Sequence, residues 1–309
     1  MDACIVTGST GFLGSHVVEA LAGTGRLVLA MTRRPVVSVR ENIIPVTASL
    51  ENLPPLRAAI AKHGCQAILH FAAAIPTAST PLNMESACAA NVMGTARLLD
   101  LLQEVGGKLF VYASSIAVYA PSKQLIREDS CIGPDSPYAA SKYCGELCGQ
   151  ALSTSTGLRA VALRISAPYG PGMDLRTVMP LFLRLASSGA TPKYHGSGIR
   201  TQNFVHAEDV AQACLLAMKN GHGAYNIGGQ EANMRQLAGL ALEICGRRAS
   251  EAQASGAPDP QELRAWRLDL SRSKDELGYA PSYALDCGMR TVAAAMASGA
   301  PRQTWWREP

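Results

Sequence analysis

Ile5-Val6-Thr7-Gly8-Ser9-Thr10-Gly11-Phe12-Leu13-Gly14-Ser15-His16-Val17-Val18 is the stretch that decides the fold. The apolar run from Cys4 to Val6 reads as a buried parallel strand, and Ser15 to Ala22 reads as a helix. The glycines fall in the tight turn between them. Gly8 permits the turn, Gly11 lets the backbone approach a pyrophosphate, and Gly14 allows close helix-to-strand packing. Phosphates in such a turn meet the amide groups of the helix N-terminus. The spacing is GxxGxxG, not the GxGxxG of the standard dinucleotide fingerprint.

Outward from this turn, short apolar runs alternate with helical stretches. Strands are expected near 3–7, 27–32, 43–47, 66–71, 108–113 and 159–165, with helices near 12–23, 53–63, 83–105 and 137–156. This βα repetition implies a parallel sheet covered on both faces. Beyond about residue 166, Pro168, Pro171, Pro180 and Pro192 break the pattern. The fold class is therefore α/β: a Rossmann-like doubly wound parallel sheet with a smaller C-terminal substrate lobe. Residues 1–165 plus 201–229 are assigned to the dinucleotide-binding part, and 166–200 plus 230–309 to the lobe. Thr304-Trp305-Trp306-Arg307-Glu308-Pro309 reads as a tail packed on the surface.

Composition limits the function classes. The chain has 309 residues, 48% of them hydrophobic, enough for one large core with an appended lobe. A net charge of +4, spread along the sequence, gives no argument for nucleic acid or membrane as a partner. No run of about 18 apolar residues suggests a membrane span, and Met1-Asp2 leads directly into the first strand without a signal peptide. The nine cysteines show no CxxC or CxxH spacing, so no metal site is expected and reduced, buried thiols in a cytoplasmic protein are the reading.

Chemistry enters at Pro137-Tyr138-Ala139-Ala140-Ser141-Lys142, downstream of Tyr112-Ala113-Ser114-Ser115-Ile116-Ala117-Val118-Tyr119. Tyr138 and Lys142, four apart, share one helix face. A phenol keeps its proton up to pH ~10, and a nearby ammonium stabilises the phenolate and makes it a usable base. A serine hydroxyl from another strand can hold the same substrate oxygen. Such a trio handles the proton when an alcohol is oxidised or a ketone reduced.

With these segments in place, the chain resembles the extended short-chain dehydrogenase/reductase family, most of whose members act on nucleotide sugars. The likeness runs nearly end to end. Thr7 to Gly14 resembles the family's cofactor motif, Leu69-His70-Phe71-Ala72-Ala73 its fourth-strand motif, and Asn91-Val92-Met93-Gly94-Thr95 its helix asparagine. Leu163 to Gly172, Asn203 to Ala211 and Asp269 to Pro281 resemble its later motifs. The resemblance implies cofactor contacts from Gly8, Thr10, Gly11, Phe12, Leu13, Gly14, Phe71, Ala72 and Ala73, and from Ser49 and Leu50, where the family often has Asp-Leu touching the adenine. It implies Ser115, Tyr138, Lys142 and Asn91 as catalytic residues, with Ser114 a supporting hydroxyl beside the substrate and Lys142 also bonding the nicotinamide ribose. Members that dehydrate sugars carry Asp-Glu directly after the catalytic hydroxyl residue. This chain has Ile116-Ala117, which move no protons and leave no cysteine for epimerisation at C3 and C5. Two reaction types remain, epimerisation at C4 and simple keto reduction or alcohol oxidation. Reduction of a non-nucleotide carbonyl, or cofactor binding without catalysis, are the alternatives.

The second strand bears on the cofactor. Val28-Leu29-Ala30-Met31-Thr32-Arg33-Arg34 ends without the acid that binds a ribose 2′-hydroxyl in NAD enzymes. A carboxylate repels a 2′-phosphate, whereas an arginine fork pairs with it, so NADP is expected over NAD. On the substrate side, the resemblance puts an arginine where Gln202 stands, with Arg200 two residues earlier, and a second arginine is missing from Ser255-Gly256-Ala257-Pro258-Asp259. Arg176, Arg264 or Arg267 are the candidate replacements. The 83–105 and 137–156 helices carry apolar residues on more than one face (Cys88, Val92, Leu98, Leu99, Leu102; Tyr143, Leu147, Ala151, Leu152), so a homodimer through them is expected.

Overall fold

The structure, a computed structural model, describes residues 3–76, 81–299 and 305–308. Seven strands form one wholly parallel sheet in the order Gly223–Ile227, Arg159–Ile165, Leu109–Ser115, Ala67–His70, Cys4–Thr7, Val28–Thr32, Ile43–Thr47. Their apolar runs suit a sheet buried on both sides. Alternate residues of the first strand go to opposite cores: Cys4 and Val6 pack with Val28, Val111 and Leu163, while Ala3 and Ile5 pack with Leu29, Phe110 and Tyr112. The expected strands are all present, with ends shifted by no more than two residues.

From the first strand the chain steps outward to Val28–Thr32 and Ile43–Thr47, then returns to Ala67–His70 on the other side. This reversal opens a crevice at the carboxyl ends of Cys4–Thr7 and Ala67–His70, the place where open α/β sheets bind ligands. Both the glycine turn and the Phe71 loop lie there.

The expected 83–105 helix is not uniform. It runs as α-helix over Met84–Ala87, widens to π-helix over Cys88–Met93, and resumes as α-helix over Gly94–Glu104. The Pro137–Thr156 helix starts at Ser136, whose hydroxyl accepts from the Ala139 amide at 3.2 Å, with Pro137 in its first turn. It ends at Gly157 in the left-handed region, φ 74°.

A smaller sheet of Ala167–Tyr169, Thr201–His206 and Gln230–Asn233 packs with helices Val178–Ser187, Met234–Ile244 and Leu285–Ser298 around its own core, including Phe182, Leu237 and Met289. The 201–229 segment is therefore divided. Its first strand belongs to this smaller sheet, and only Gly223–Ile227 joins the large one. No helix of the described residues is long and apolar enough to cross a membrane.

One expectation needs correction. Trp305 is not a surface residue: it is 1% exposed within the core beneath the first helix, and its indole N–H donates to the Ser9 carbonyl at 3.2 Å. Trp306–Arg307 pairs antiparallel with Val37–Ser38, and the Val39 amide donates to the Trp305 carbonyl at 2.8 Å. The indole's large apolar area and single donor explain the difference, since both are satisfied only inside. Thr304 and Pro309 lie outside the described residues. The apolar residues on more than one face of the 83–105 and 137–156 helices divide accordingly: Leu98, Leu99 and Leu102 are buried in their own chain, while Cys88, Leu147 and Ala151 are exposed, joined by Met84 and Met93.

Candidate active site

The Leu109–Ser115 strand delivers Ser115 to the crevice at its carboxyl end. There its hydroxyl oxygen accepts from the Ala117 amide at 3.2 Å, capping the turn Ile116–Val118. Tyr138 lies in the first turn of the next helix, close enough to the Ser115 hydroxyl for the two to influence each other's proton. Lys142, one turn further, is 3% exposed. Ser115, Tyr138 and Lys142 are thus assembled at one end of the sheet. Their proton affinities differ from the expectation that the ammonium depresses the phenol. Burial dominates and pushes Tyr138 up from 10.0 to about 12, with the Ser115 hydroxyl pulling the other way. Burial also brings Lys142 down from 10.5 to about 7, against the opposing pull of Glu146.

Asn91 sits in the π-helical segment, a geometry that recurs at functional sites. Its amide group joins three elements: Oδ1 accepts from the Ala74 amide at 2.7 Å, and Nδ2 donates to the Ala74 carbonyl at 3.0 Å and the Ser141 hydroxyl at 2.9 Å. The loop after Ala67–His70 is thereby fixed to the residue beside Lys142. Beneath it runs an ordered chain of hydrogen bonds. The Ala72 amide donates to Thr7 Oγ1 at 3.1 Å, so the Thr7 hydroxyl donates to His70 Nδ1 at 2.7 Å. His70 Nε2 then carries the proton and donates to Thr95 Oγ1 at 3.1 Å, and Thr95 donates to the Asn91 carbonyl at 2.5 Å. Burial first, then Lys142, hold His70 down at about 3, so it is neutral.

A buried ion pair was not foreseen. Arg164 and Glu146, whose side chains are 7% and 8% exposed, pair through two guanidinium nitrogens, with Arg164 Nη2 to Glu146 Oε2 at 2.8 Å. Arg164 Nη1 also donates to the Tyr119 hydroxyl and the Glu128 carbonyl, each at 2.9 Å. Ser114 donates to Glu146 and is 3% exposed, so its hydroxyl turns into this network and away from a substrate. The signal was present: a charged residue inside the apolar strand Arg159–Ile165 demands a buried carboxylate.

The glycine turn fits a dinucleotide. A Cβ on Gly8, whose φ is +64°, would lie 2.7 Å from the Ala72 amide nitrogen, and one on Gly14 would lie 2.1 Å from the Gly8 carbonyl oxygen. No side chain caps the helix Phe12–Gly23 and no acid lies in its first turn, so its leading amides can receive phosphate. Thr10 and Gly11 are exposed, Phe12 and Leu13 half-buried, and Phe71, Ala72 and Ala73 form the facing wall. Thr32 ends its strand 2% exposed, its hydroxyl without a hydrogen-bond partner, and Arg33 and Arg34 are exposed beyond it. Ser49 accepts from the Glu51 and Asn52 amides in its own turn, and Leu50 packs against Gly94. No cluster of three or more potential metal ligands occurs among the described residues.

On the lobe side, each arginine considered for a diphosphate has an acidic partner. Arg200 donates to Asp259 at 2.8 Å, Arg176 pairs with Asp174, Arg264 with Asp135 and Arg267 with Glu231. Gln202 is half-buried on the Thr201–His206 strand, opposite Ala232.

Residues 4–228 match the NAD dependent epimerase/dehydratase family, and the chain belongs to it. It is 30% identical, over 92% of its length and 90% of the other's, to a dTDP-glucose 4,6-dehydratase of Streptomyces niveus. It is 29% identical to a putative UDP-glucose 4-epimerase of Methanocaldococcus jannaschii, covering 93% of this chain and 96% of that one. Among solved structures it is similar to the UDP-glucose 4-epimerase of Thermotoga maritima with UDP-glucose, at 26% identity and a TM-score of 0.85, covering 96% and 99% of the two chains. The chain is an enzyme of the extended short-chain dehydrogenase/reductase type, working by hydride transfer.

The lowered Lys142 has a consequence for stability. The unfolded lysine binds its proton more tightly than the folded one, so folding is penalised fully below about pH 7 and progressively less up to 10.5. Lys142→Met is expected to be more stable than the parent at pH 6.5, with the gap closing by pH 10. Urea midpoints measured across this range check it; a gap that does not change with pH contradicts it.

Proposed function

We propose that this enzyme is a nucleotide-sugar 4-epimerase or 4-ketoreductase that uses a nicotinamide dinucleotide, with NADP(H) preferred. The observation that carries this reading is the Ser115–Tyr138–Lys142 assembly followed by Ile116 and Ala117. Ile116 is buried against Tyr119 and Trp266, and neither residue has an acid or base to remove water from a sugar. This separates the chain from its dehydratase relatives.

When bound, the nicotinamide takes or gives the hydride at the sugar carbon. In the same direction, Tyr138 takes or gives the proton of the oxygen on that carbon, and Ser115 holds the same oxygen. The Lys142 charge favours the phenolate as the proton leaves Tyr138. Asn91 holds the loop and helix together around them. Gly8, Gly11 and Gly14, with the amides of Phe12 and Leu13, would hold the pyrophosphate. Arg33 and Arg34, exposed beyond Thr32, would pair with a 2′-phosphate. Solved relatives include an NAD complex of the Thermus thermophilus UDP-glucose 4-epimerase, 25% identical with a TM-score of 0.82, covering 96% of this chain and 100% of that one.

A second reading, reduction of a carbonyl compound without a diphosphate, is favoured by the acidic partners of Arg200, Arg264 and Arg267 and by Gln202. Thermal melting with uridine and thymidine diphosphates separates the two, since a ligand of the native state raises the melting temperature. A rise supports the nucleotide sugar; no rise moves the substrate outside that class. The nine cysteines are all free, which supports action in a reducing compartment such as the cytoplasm.

Tyr138→Phe is expected to lower turnover by at least about a hundredfold, the scale of positioned proton transfer, while the melting curve stays close to the parent's. Retention of parental turnover would remove Tyr138 from the chemistry. In calorimetric titration, NADPH is expected to bind about tenfold more tightly than NADH, the scale of one charge-assisted contact; the reverse order would leave Arg33 and Arg34 as solvated side chains. We further propose a homodimer through the exposed face carrying Met84, Cys88 and Leu147. Light scattering at micromolar concentration should return the mass of two chains, and the mass of one overturns it.

A further inference from the structure

Lys142 is buried, yet among the described residues no carboxylate is free to meet its ammonium. Glu146, the nearest on its own helix, is held by Arg164 and Ser114. His70, reaching from the Ala67–His70 strand, is neutral, with both ring nitrogens engaged by Thr7 and Thr95. Asn91, from the π-helical segment, gives its amide to Ala74 and Ser141. Tyr138 and the Cys148 thiol are the remaining titratable groups in this cluster.

What does face the ammonium is an aromatic ring. Lys142 Nζ lies 4.2 Å from the centroid of the Tyr112 ring. Tyr112 is 2% exposed and stacks on Phe110 at 6.1 Å, with His70 at 5.7 Å. The helix is cut away to admit it: a Cβ on Gly145 would lie 2.4 Å from the Tyr112 hydroxyl oxygen. That hydroxyl makes no hydrogen bond, and Thr95 beside it donates to the Asn91 carbonyl. The polar end of Tyr112 is therefore not what fixes its place. Its ring face carries the negative end of the aromatic quadrupole, and a desolvated cation on such a face is held more strongly than one in water.

We propose that Tyr112 is a positioning residue for Lys142, its ring face holding the buried ammonium charged and in place one helical turn from Tyr138. The proposal rests on the role given to Lys142 above. Removing the ring makes the charged form less favourable, so Lys142 loses its proton at lower pH. Removing only the hydroxyl leaves the ring and the charge in place. Gly145 belongs to the same device, since any side chain there displaces the ring from Lys142.

The test compares Tyr112→Phe with Tyr112→Leu, and with Tyr112→Met as a second non-aromatic variant should leucine fail to fold. Protein carrying ¹³C at the lysine ε carbons is titrated by NMR, with Lys142→Met identifying the resonance. The parent and Tyr112→Phe should titrate together, and the leucine or methionine variant about one pH unit lower. The alkaline limb of kcat/KM should fall by the same amount in the non-aromatic variants and be restored in the phenylalanine variant. A Lys142 resonance unmoved in the non-aromatic variant, or moved equally in Tyr112→Phe, overturns the proposal. The NMR readout needs no turnover, so loss of the proposed reaction and loss of this inference are separately visible.

Discussion

The Arg164–Glu146 pair is the interaction on which the site depends. It joins the Arg159–Ile165 strand, next to one edge of the sheet, to the helix that carries Tyr138 and Lys142, with both side chains less than a tenth exposed. Burying two charges costs several kcal/mol per ion, and their attraction repays this only where further hydrogen bonds complete the shell. Here they do: Ser114 completes Glu146, and Tyr119 and the Glu128 carbonyl complete Arg164. Tyr119 in turn donates at 2.7 Å to the side chain of Asn226, which donates to the Ile126 carbonyl at 3.1 Å. The network contributes direction more than stability. It fixes the height and rotation of a helix whose first two turns hold the reacting groups.

Around that anchor, the two halves of the site follow different logic. The cofactor side is built from backbone: glycines that leave no room for a Cβ, and amides at a helix start. The substrate side is built from side chains, and its cations are internally neutralised. Arg264 reaches across to Asp135, three residues before Tyr138, so this pair ties the lobe to the catalytic helix. On the proposed reading, an anionic substrate there would exchange one carboxylate partner for another and would not meet a bare positive field. Such a site discriminates by geometry more than by charge attraction.

Much of this was legible in the residues. Apolar runs located the large sheet because its strands are buried on both faces, and the glycine spacing located the turn. Tyr138 and Lys142 were legible because helical spacing is local. Other features depended on contacts between distant positions. Thr7 meets His70 across 63 residues, and Ser114 meets Glu146 across 32. The smaller sheet was missed because Ala167–Tyr169 is only three residues long and pairs with a strand beyond a helix. The fate of Ser114 was illegible for a different reason: adjacent residues on a strand face opposite ways, so a Ser-Ser pair gives one hydroxyl to the crevice and one to the interior. The π-helical turn at Asn91 has no pattern of its own in a helix with regular apolar spacing.

The indole of Trp305 bears on how the chain acquires its order. Ser9 and Trp305 are 296 positions apart, yet one supports the other. The turn that begins the dinucleotide site emerges first during synthesis, and its roof arrives only after the whole intervening chain has been made. The glycine turn and its support are thus far apart in the chain, and their meeting is a high-contact-order event of folding. Until that closure, the Ser9 carbonyl is without its indole donor and the core that Trp305 shares with the first helix is incomplete. The interval between translation of the two segments is the period in which that core stays open to chaperones or to other nascent chains.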